Sequence, residues 1–142
     1  MIVCADSSFI AAIYAAEVHS AEADRRMASG AVVQISPLNR SEVAHAFAFQ
    51  VFRSRISADR AIELWQQFEQ DCRLGLWTCV GLPSNVWQRC IDLARRFGPT
   101  LGVRTLDSLH VATAIELRAE KFWTFDDRQA RLAEAVGLDT SA

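Results

Sequence analysis

Residues 104–114 read Arg-Thr-Leu-Asp-Ser-Leu-His-Val-Ala-Thr-Ala, and the rest of the chain is best understood from this stretch. Thr105 is predicted to cap a helix here, since its hydroxyl can accept a hydrogen bond from a free backbone N–H of the first turn. After Leu106 nearly every residue is apolar or small, which predicts a helix packed against the core. Asp107 is the exception, an acid at the start of a buried helix. It therefore requires partners from other segments of the chain.

Four short apolar runs alternate with helical patterns through the remaining sequence. The runs are too short for helices and suit strands buried on both faces of a parallel sheet. We predict strands at residues 1–5, 31–35, 76–80 and 121–125. We predict helices at residues 9–16, 22–29, 37–53, 57–74, 83–97, 105–118 and 128–136, with Gly98-Pro99 closing the fifth. This alternation predicts an α/β fold with helices on both faces of a parallel sheet.

Length and composition are typical of a soluble globular protein. The chain has 142 residues and no linker, repeat or low-complexity segment, so we predict a single domain over residues 1–142. The 4 cysteines show neither zinc spacing nor a Cys-x-x-Cys pair, and we expect reduced, mostly buried thiols in a cytoplasmic protein. We expect no signal peptide, because no basic segment precedes the first apolar run and Asp6 interrupts it. No stretch is long enough to predict a membrane span.

Four acidic residues occupy positions that the predicted fold can bring together. Asp6 and Asp126 each follow a strand directly, and parallel strands all end at one edge of the sheet, where ligands of such folds bind. Glu42 and Asp107 lie in early turns of helices that can begin on that same side. The topology therefore permits the four carboxylates to converge.

Converging carboxylates repel one another, so they either share protons or hold a cation. Oxygen ligands suit Mg²⁺ or Mn²⁺, and such ions activate water and stabilise the charge of a phosphodiester during cleavage. Each acid also has a purely structural interpretation. Asp6 and Asp126 can cap the helices that follow them, and Asp107 can interact with its helix dipole. Glu42 lies too far into its helix for either role, which favours a shared site.

The net charge of −2 disfavours a simple basic nucleic-acid binder, but it conceals an uneven distribution. Without the four acids of the predicted site, the 15 Lys and Arg residues are in slight excess. All of them except Lys121 are arginines, whose guanidinium groups match phosphate oxygens. A genome that prefers arginine codons explains this bias more simply. The candidates for contacts with phosphates or with a partner's acidic residues are Arg53, Arg95, Arg96 and Arg104.

Other residues have a structural and a functional interpretation. His110 and His45 each follow an acid by three residues, and for both we favour a packed or hydrogen-bonded histidine over a catalytic one. Ser8 can hold Asp6 in place or simply form the turn. The tryptophans are predicted to lie in the core rather than to stack on bases. They are Trp65, Trp77, Trp87 and Trp123.

Four segments together resemble the PIN domain and, more narrowly, the VapC toxins of bacterial toxin–antitoxin pairs. They are Ala-Asp-Ser-Ser-Phe-Ile at 5–10, Arg-Ser-Glu-Val-Ala at 40–44, the stretch at 104–114, and Thr-Phe-Asp-Asp-Arg-Gln at 124–129. The last two segments are specific at their mutual spacing, whereas the first two are weak alone. The resemblance covers nearly the whole chain.

The resemblance implies a three-layer α/β/α fold with a central parallel sheet of four or five short strands. It implies that Asp6, Glu42, Asp107 and Asp126 form the catalytic site and bind Mg²⁺, with Mn²⁺ as a substitute. Asp126 is preferred to its neighbour Asp127, because the family motif places its acid two residues after the threonine.

The resemblance also implies a substrate, partners and a supporting residue. The substrate would be structured RNA such as transfer RNA, and Ser8 matches a small polar position that supports the first acid. A VapB-like antitoxin would thread its C-terminal region into the active-site groove, and the toxin would form a homodimer. We therefore predict a metal-dependent endoribonuclease that is the toxin of a type II toxin–antitoxin system. The alternative is a non-catalytic PIN-like module that binds protein or RNA without cutting.

Overall fold

A computed structural model describes residues 1–142 and contains four strands and seven helices. The strands are β1 (Ile2–Ala5), β2 (Val32–Ile35), β3 (Trp77–Cys79) and β4 (Lys121–Trp123). The helices are α1 (Ser7–Tyr14), α2 (Ser20–Met27), α3 (Pro37–Phe52), α4 (Ala58–Leu74), α5 (Val86–Leu101), α6 (Thr105–Glu116) and α7 (Asp127–Ala135). Every predicted strand and helix is present, with ends that differ by a few residues.

The four strands form one parallel sheet in the order β3-β2-β1-β4. In the centre, Val3 of β1 lies opposite Val33 of β2 on one side and Lys121 of β4 on the other. At the carboxyl end of the sheet, Ala5 lies opposite Trp123. The residues that follow β1 and β4 are therefore neighbours in space, which places the start of α1 beside the start of α7.

Alternating side chains of the strands supply two separate cores, one on each face of the sheet. Val3, Ala5 and Trp123 belong to a cluster of 15 buried residues that includes side chains of α1, α2, α3 and α4. Cys4 and Phe122 point the other way, into a cluster of 11 buried residues formed with α5, α6 and α7. Because a strand has a side-chain period of two, β1 and β4 contribute to both cores, whereas β2 and β3 contribute only to the first. The predicted three-layer α/β/α arrangement is confirmed.

The prediction that Gly98-Pro99 closes α5 is wrong. The helix continues through both residues to Leu101, and the N–H of Gly102 donates to the Gly98 carbonyl over 2.9 Å. Proline has a backbone φ compatible with a helix, so in the last turn its main cost is one missing hydrogen bond. Leu101 packs against the second core cluster, which favours the extra turn. Gly102 then ends the helix in the left-handed conformation, with φ of 63°.

The prediction that Thr105 caps α6 is also wrong. Thr105 is the first helical residue, and Arg104 is the N-cap residue in an extended conformation. The cap interaction comes from inside the helix, because Asp107 Oδ2 accepts the Arg104 backbone N–H over 3.0 Å. Asp107 is thus fixed by the backbone of the same turn.

The cysteines and tryptophans depart from the expected burial. All four cysteines are free thiols, but only Cys4 and Cys90 are buried. Trp77 and Trp123 are core residues at 1% and 0% exposure, whereas Trp87 on α5 is 57% exposed.

No helix in the structure combines the length and apolar character that crossing a bilayer requires.

Candidate active site

Asp6 lies at the junction between the central strand and the first helix. Its backbone N–H continues the sheet by donating to the Trp123 carbonyl over 3.1 Å. Its Oδ1 atom caps α1 by accepting the Phe9 backbone N–H over 3.1 Å, and it also accepts the Ser8 hydroxyl over 2.6 Å. The capping interpretation of Asp6 is therefore confirmed. Both of these contacts use the Oδ1 atom of the carboxylate and leave Oδ2 out.

Ser8 connects Asp6 to the neighbouring strand. While its hydroxyl donates to Asp6, its oxygen accepts the Phe125 backbone N–H over 3.0 Å, just beyond the end of β4. Asp6 is only 2% exposed, and burial raises the pKa of its carboxyl. The Ser8 hydrogen bond and the charge of His110 oppose that rise. A buried carboxyl of this kind is costly to ionise unless a positive charge accompanies it.

Glu42 lies in the second turn of α3 and is held from two other helices. Its Oε1 atom accepts the Ser7 hydroxyl of α1 over 2.9 Å and also pairs with His110 Nε2 of α6. Burial alone would raise the pKa of Glu42, but the hydrogen bonds and the positive charge of the imidazole outweigh it, so the pKa is lowered. Glu42 is thus favoured as a carboxylate. His110 is hydrogen-bonded, as predicted, although its partner is Glu42 rather than the neighbouring Asp107.

Asp126 is the N-cap residue of α7. Its Oδ1 atom caps the helix by accepting the Gln129 backbone N–H over 3.0 Å. Asp127 is the next residue, but its side chain is exposed. The capping interpretation of Asp126 is therefore confirmed as well.

A cavity of about 520 Å³ lies at the carboxyl edge of the sheet, and all four predicted acids line it. Asp127 does not. The cavity is lined by Asp6, Ser7, Ser8, Glu42, Arg104, Thr105, Leu106, Asp107, Asp126 and Gln129. Four acids that are far apart in sequence are thus presented to one space by the N-cap of α1, by α3 and α6, and by the N-cap of α7.

Gln129 is a member of this site that the sequence did not single out for chemistry. It is 8% exposed, and its side-chain oxygen Oε1 has no hydrogen-bond partner. A buried acceptor without a donor requires an explanation, such as a bound ion or water. The only signal in the sequence is its position three residues after Asp126, where a glutamine can complete a capping box.

The donor set is chemically suited to a hard divalent cation. Carboxylate and amide oxygens are the ligands that Mg²⁺ and Mn²⁺ prefer, and the cavity contains no sulfur or imidazole atom among its lining residues. As they stand, however, no three His, Cys, Asp or Glu side chains are gathered closely enough to hold a metal ion. The side chains line a space for a cation without forming a closed cage around it.

Of the four candidate arginines, Arg104 alone borders this cavity. Its side chain is 72% exposed, and its Nε atom lies 3.9 Å from Asp107 Oδ2, which is an ion pair without a hydrogen bond. Arg53 and Arg96 lie elsewhere, with their guanidinium groups over the rings of Phe49 and Phe97.

A second cavity of about 670 Å³ adjoins the acidic one and shares Ser7, Ser8, Glu42 and Leu106 with it. Its other walls are mainly apolar and come from α1 and α3, including Leu38, Phe49 and Ala46. His45, which we predicted to be packed or hydrogen-bonded, lines this cavity, and its Nδ1 atom lies 2.8 Å from the Ser41 carbonyl.

Several solved structures share this fold. VapC20 of Mycobacterium tuberculosis, described as a Sarcin-Ricin loop cleaving toxin, is 17% identical, with a TM-score of 0.70 and coverage of 98% of both chains. FitAcB from Neisseria gonorrhoeae is 17% identical, with a TM-score of 0.72 over 100% of this chain and 97% of that one. VapBC2 from Rickettsia felis, bound to a DNA fragment from its promoter, is 16% identical, with a TM-score of 0.64 over 99% and 98%.

No curated protein matches the chain at a significant level. The family model of the PIN domain, in contrast, matches residues 3–135, which is nearly the whole sequence. The parallel four-stranded sheet between two helical layers agrees with that assignment. The chain therefore belongs to the PIN domain family.

Proposed function

We propose that this protein is a Mg²⁺- or Mn²⁺-dependent endoribonuclease that acts in the cytoplasm as the toxin of a type II toxin–antitoxin system. PIN domains are generally nucleases, which supports hydrolysis of a phosphodiester. The observation that carries the proposal is the single cavity lined by four carboxylates from separate elements of the fold. Three of these acids have local capping contacts, but local contacts do not explain why Glu42 lies in the same cavity.

Asp6, Glu42, Asp107 and Asp126 would hold the cation, and Gln129 would offer a further oxygen. A bound divalent cation supplies positive charge that stabilises the phosphodiester during cleavage and makes water more acidic. The chain's own residues orient the ligands. Ser8 and the Phe9 backbone fix Asp6, while Ser7 and His110 fix Glu42. We assign no protein side chain as the general base.

The proposed substrate is structured RNA, with transfer RNA or ribosomal RNA as the first candidates. The proposed partner is an antitoxin protein whose apolar segment would occupy the 670 Å³ cavity beside the acids. The names of the structural neighbours support a toxin–antitoxin context, since one is a VapBC pair and another an RNA-cleaving toxin. We also propose a homodimer, on the basis of membership in the PIN domain family.

A cleavage assay tests the nuclease directly. The purified chain is incubated with total bacterial RNA and Mn²⁺ or Mg²⁺, and the products are mapped by their ends. We expect discrete fragments that disappear with EDTA and with Asp6→Asn or Asp107→Asn. Asparagine keeps an oxygen acceptor for the cap contacts, so these variants should fold. Asp127→Asn is the matched control, because this exposed neighbour does not line the cavity, and its activity should equal that of the wild type.

The second candidate is a non-catalytic PIN-like module that binds RNA or protein. The observation in its favour is that the acids, as they stand, are not gathered closely enough to hold a metal ion. Induction of the chain in a bacterial host separates the two candidates. Growth arrest with RNA fragments in the wild type, and neither in Asp6→Asn, supports the nuclease. Equal arrest by both chains without RNA fragments supports the binding module.

A further inference from the structure

A third cavity, of about 450 Å³, lies between α5 and the start of α6 and has no role in the site described above. Its walls include Trp87 and Ile91 of α5, which are 57% and 51% exposed. These two residues are one helical turn apart, so they present one continuous apolar surface. Large apolar side chains grouped at a concave surface mark binding sites more often than isolated ones do. We name this space the α5 cleft.

The α5 cleft is continuous with the acidic cavity. Arg104 and Thr105 line both, so the two spaces meet at the N-terminus of α6. The Arg104 guanidinium is largely exposed, and its only ion pair is the 3.9 Å contact to Asp107. It is therefore available to a phosphate between the two spaces. A nucleotide strand held there would place one group among the acids and the adjacent group in the α5 cleft.

The chemistry of the α5 cleft suits a nucleobase. Trp87 offers an exposed indole face, and bases of any sequence stack on aromatic rings. Ser108 also lines the cleft, is 1% exposed, and has a hydroxyl without any hydrogen-bond partner. Such an orphaned hydroxyl can both donate and accept, as the polar edge of a base requires. Beyond Ile91, one further turn of α5 carries Arg95, which forms no salt bridge and adds positive charge beside the cleft.

We propose that the α5 cleft binds an unpaired nucleobase of an RNA strand next to the phosphate held at Arg104. This inference rests on the proposed function in one respect, since it takes RNA as the ligand of the adjoining acidic cavity. It goes further by assigning the base contact to Trp87 and Ser108 and the phosphate contact to Arg104. A stacking platform and an orphaned hydroxyl beside a largely exposed guanidinium match a nucleotide better than they match an apolar helix of a protein partner.

Equilibrium binding without metal tests this subsite separately from cleavage. The full chain is titrated in EDTA with single-stranded RNA 12-mers of A or U and, in parallel, with inorganic polyphosphate, which has the charges but no bases. We expect Trp87→Ala to weaken RNA binding about tenfold while polyphosphate binding is unchanged. Trp87→Phe should retain most of the affinity, since it retains an aromatic face. Arg104→Gln should weaken both ligands, because it removes a phosphate contact.

Two further variants sharpen the comparison. Ser108→Ala removes only the orphaned hydroxyl, so we expect the thermal midpoint to be unchanged or higher and the preference between A and U to change. Phe52→Ala is the matched control, because this aromatic residue is 80% exposed on α3 and does not line the cleft. Its RNA affinity should equal that of the wild type.

The outcomes distinguish this proposal from the proposed function. Equal RNA affinity of the wild type and Trp87→Ala overturns the base subsite, even if the chain cleaves RNA. Loss of affinity for RNA alone in Trp87→Ala supports the subsite, even if no cleavage is found with any metal. If Trp87→Ala instead changes the oligomeric state in sedimentation and leaves RNA binding intact, the cleft is an interface between copies of the chain and the proposal is wrong.

Discussion

Replacing His110 by leucine tests whether the histidine orients Glu42 for cation binding. The His110 side chain is 4% exposed, and its Nε2 atom forms a hydrogen bond with Glu42 Oε1. A hydrogen bond to a charged group contributes about 1.5–3 kcal/mol. Because the Glu42 side chain is 29% exposed, water can replace part of this contact, and we take the lower end. A loss of about 1.5 kcal/mol corresponds to roughly tenfold weaker binding of a divalent cation.

Isothermal titration of the purified chain with Mn²⁺ measures this change. We expect roughly tenfold weaker binding for His110→Leu, within the range found when residues that orient metal ligands are replaced. His110→Gln should restore much of the affinity, since its amide nitrogen can reach the position of Nε2. The thermal midpoint should change by less than about 4 °C, because leucine fills a similar volume and Glu42 keeps the Ser7 hydroxyl.

His45→Leu is the matched control for this experiment. His45 lies one helical turn from Glu42 on α3, but its ring is hydrogen-bonded to the Ser41 carbonyl and not to an acid. We expect its Mn²⁺ affinity to equal that of the wild type. If His110→Leu binds Mn²⁺ as tightly as the wild type, the orienting role is refuted. Equal losses in the leucine and glutamine variants would refute the hydrogen bond as the cause.

The remaining predictions concern stability and the choice between neighbouring acids. Tyr14→Phe should lower the free energy of unfolding by about 2 kcal/mol in urea denaturation, because the buried indole N–H of Trp77 donates to the Tyr14 hydroxyl over 2.6 Å and would lose its acceptor. Asp126→Asn should weaken Mn²⁺ binding more than Asp127→Asn, and equal effects would contradict the assignment. Because burial raises the pKa of Asp6, its protonation stabilises the fold at low pH, and this contribution is lost as the pH rises through the raised pKa. In EDTA, Asp6→Asn should therefore gain more in thermal midpoint over the wild type at pH 7 than at pH 4.

The sequence predicted the elements of this fold because their signals are local. Each of the four strands is a short, mostly apolar run, and several helices carry start or stop residues, such as Ser57 and Gly75 around α4. The acids at the ends of β1 and β4 could be placed for the same reason, since a parallel sheet ends all its strands at one edge. The errors were also local. Pro99 was given too much weight as a helix stop, and Thr105 was preferred as a cap although Asp107 bonds to the backbone of Arg104.

The partners within the site could not be predicted in this way. Spacing along α6 suggested that His110 belongs with Asp107, but the structure pairs it with Glu42, 68 positions away in the sequence. Asp107 and His110 lie on the same face of α6, and only the packing of α3 against the sheet decides that the imidazole reaches Glu42 instead. The burial of Asp6 and the orphaned oxygen of Gln129 likewise depend on neighbours from several elements.

The sequence by itself thus determined the fold class, the order of its elements and the set of acids that can meet. Periodicity, capping residues and strand ends are short-range properties, and each is readable from a few adjacent residues. The family motif favoured Asp126 over Asp127, but only the tertiary structure showed that Asp126 lines the cavity and Asp127 does not. It also showed that Trp87 is exposed beside Arg104 while Trp77 and Trp123 are buried. Those outcomes depend on which surfaces the packed layers leave uncovered, and no local pattern specifies that.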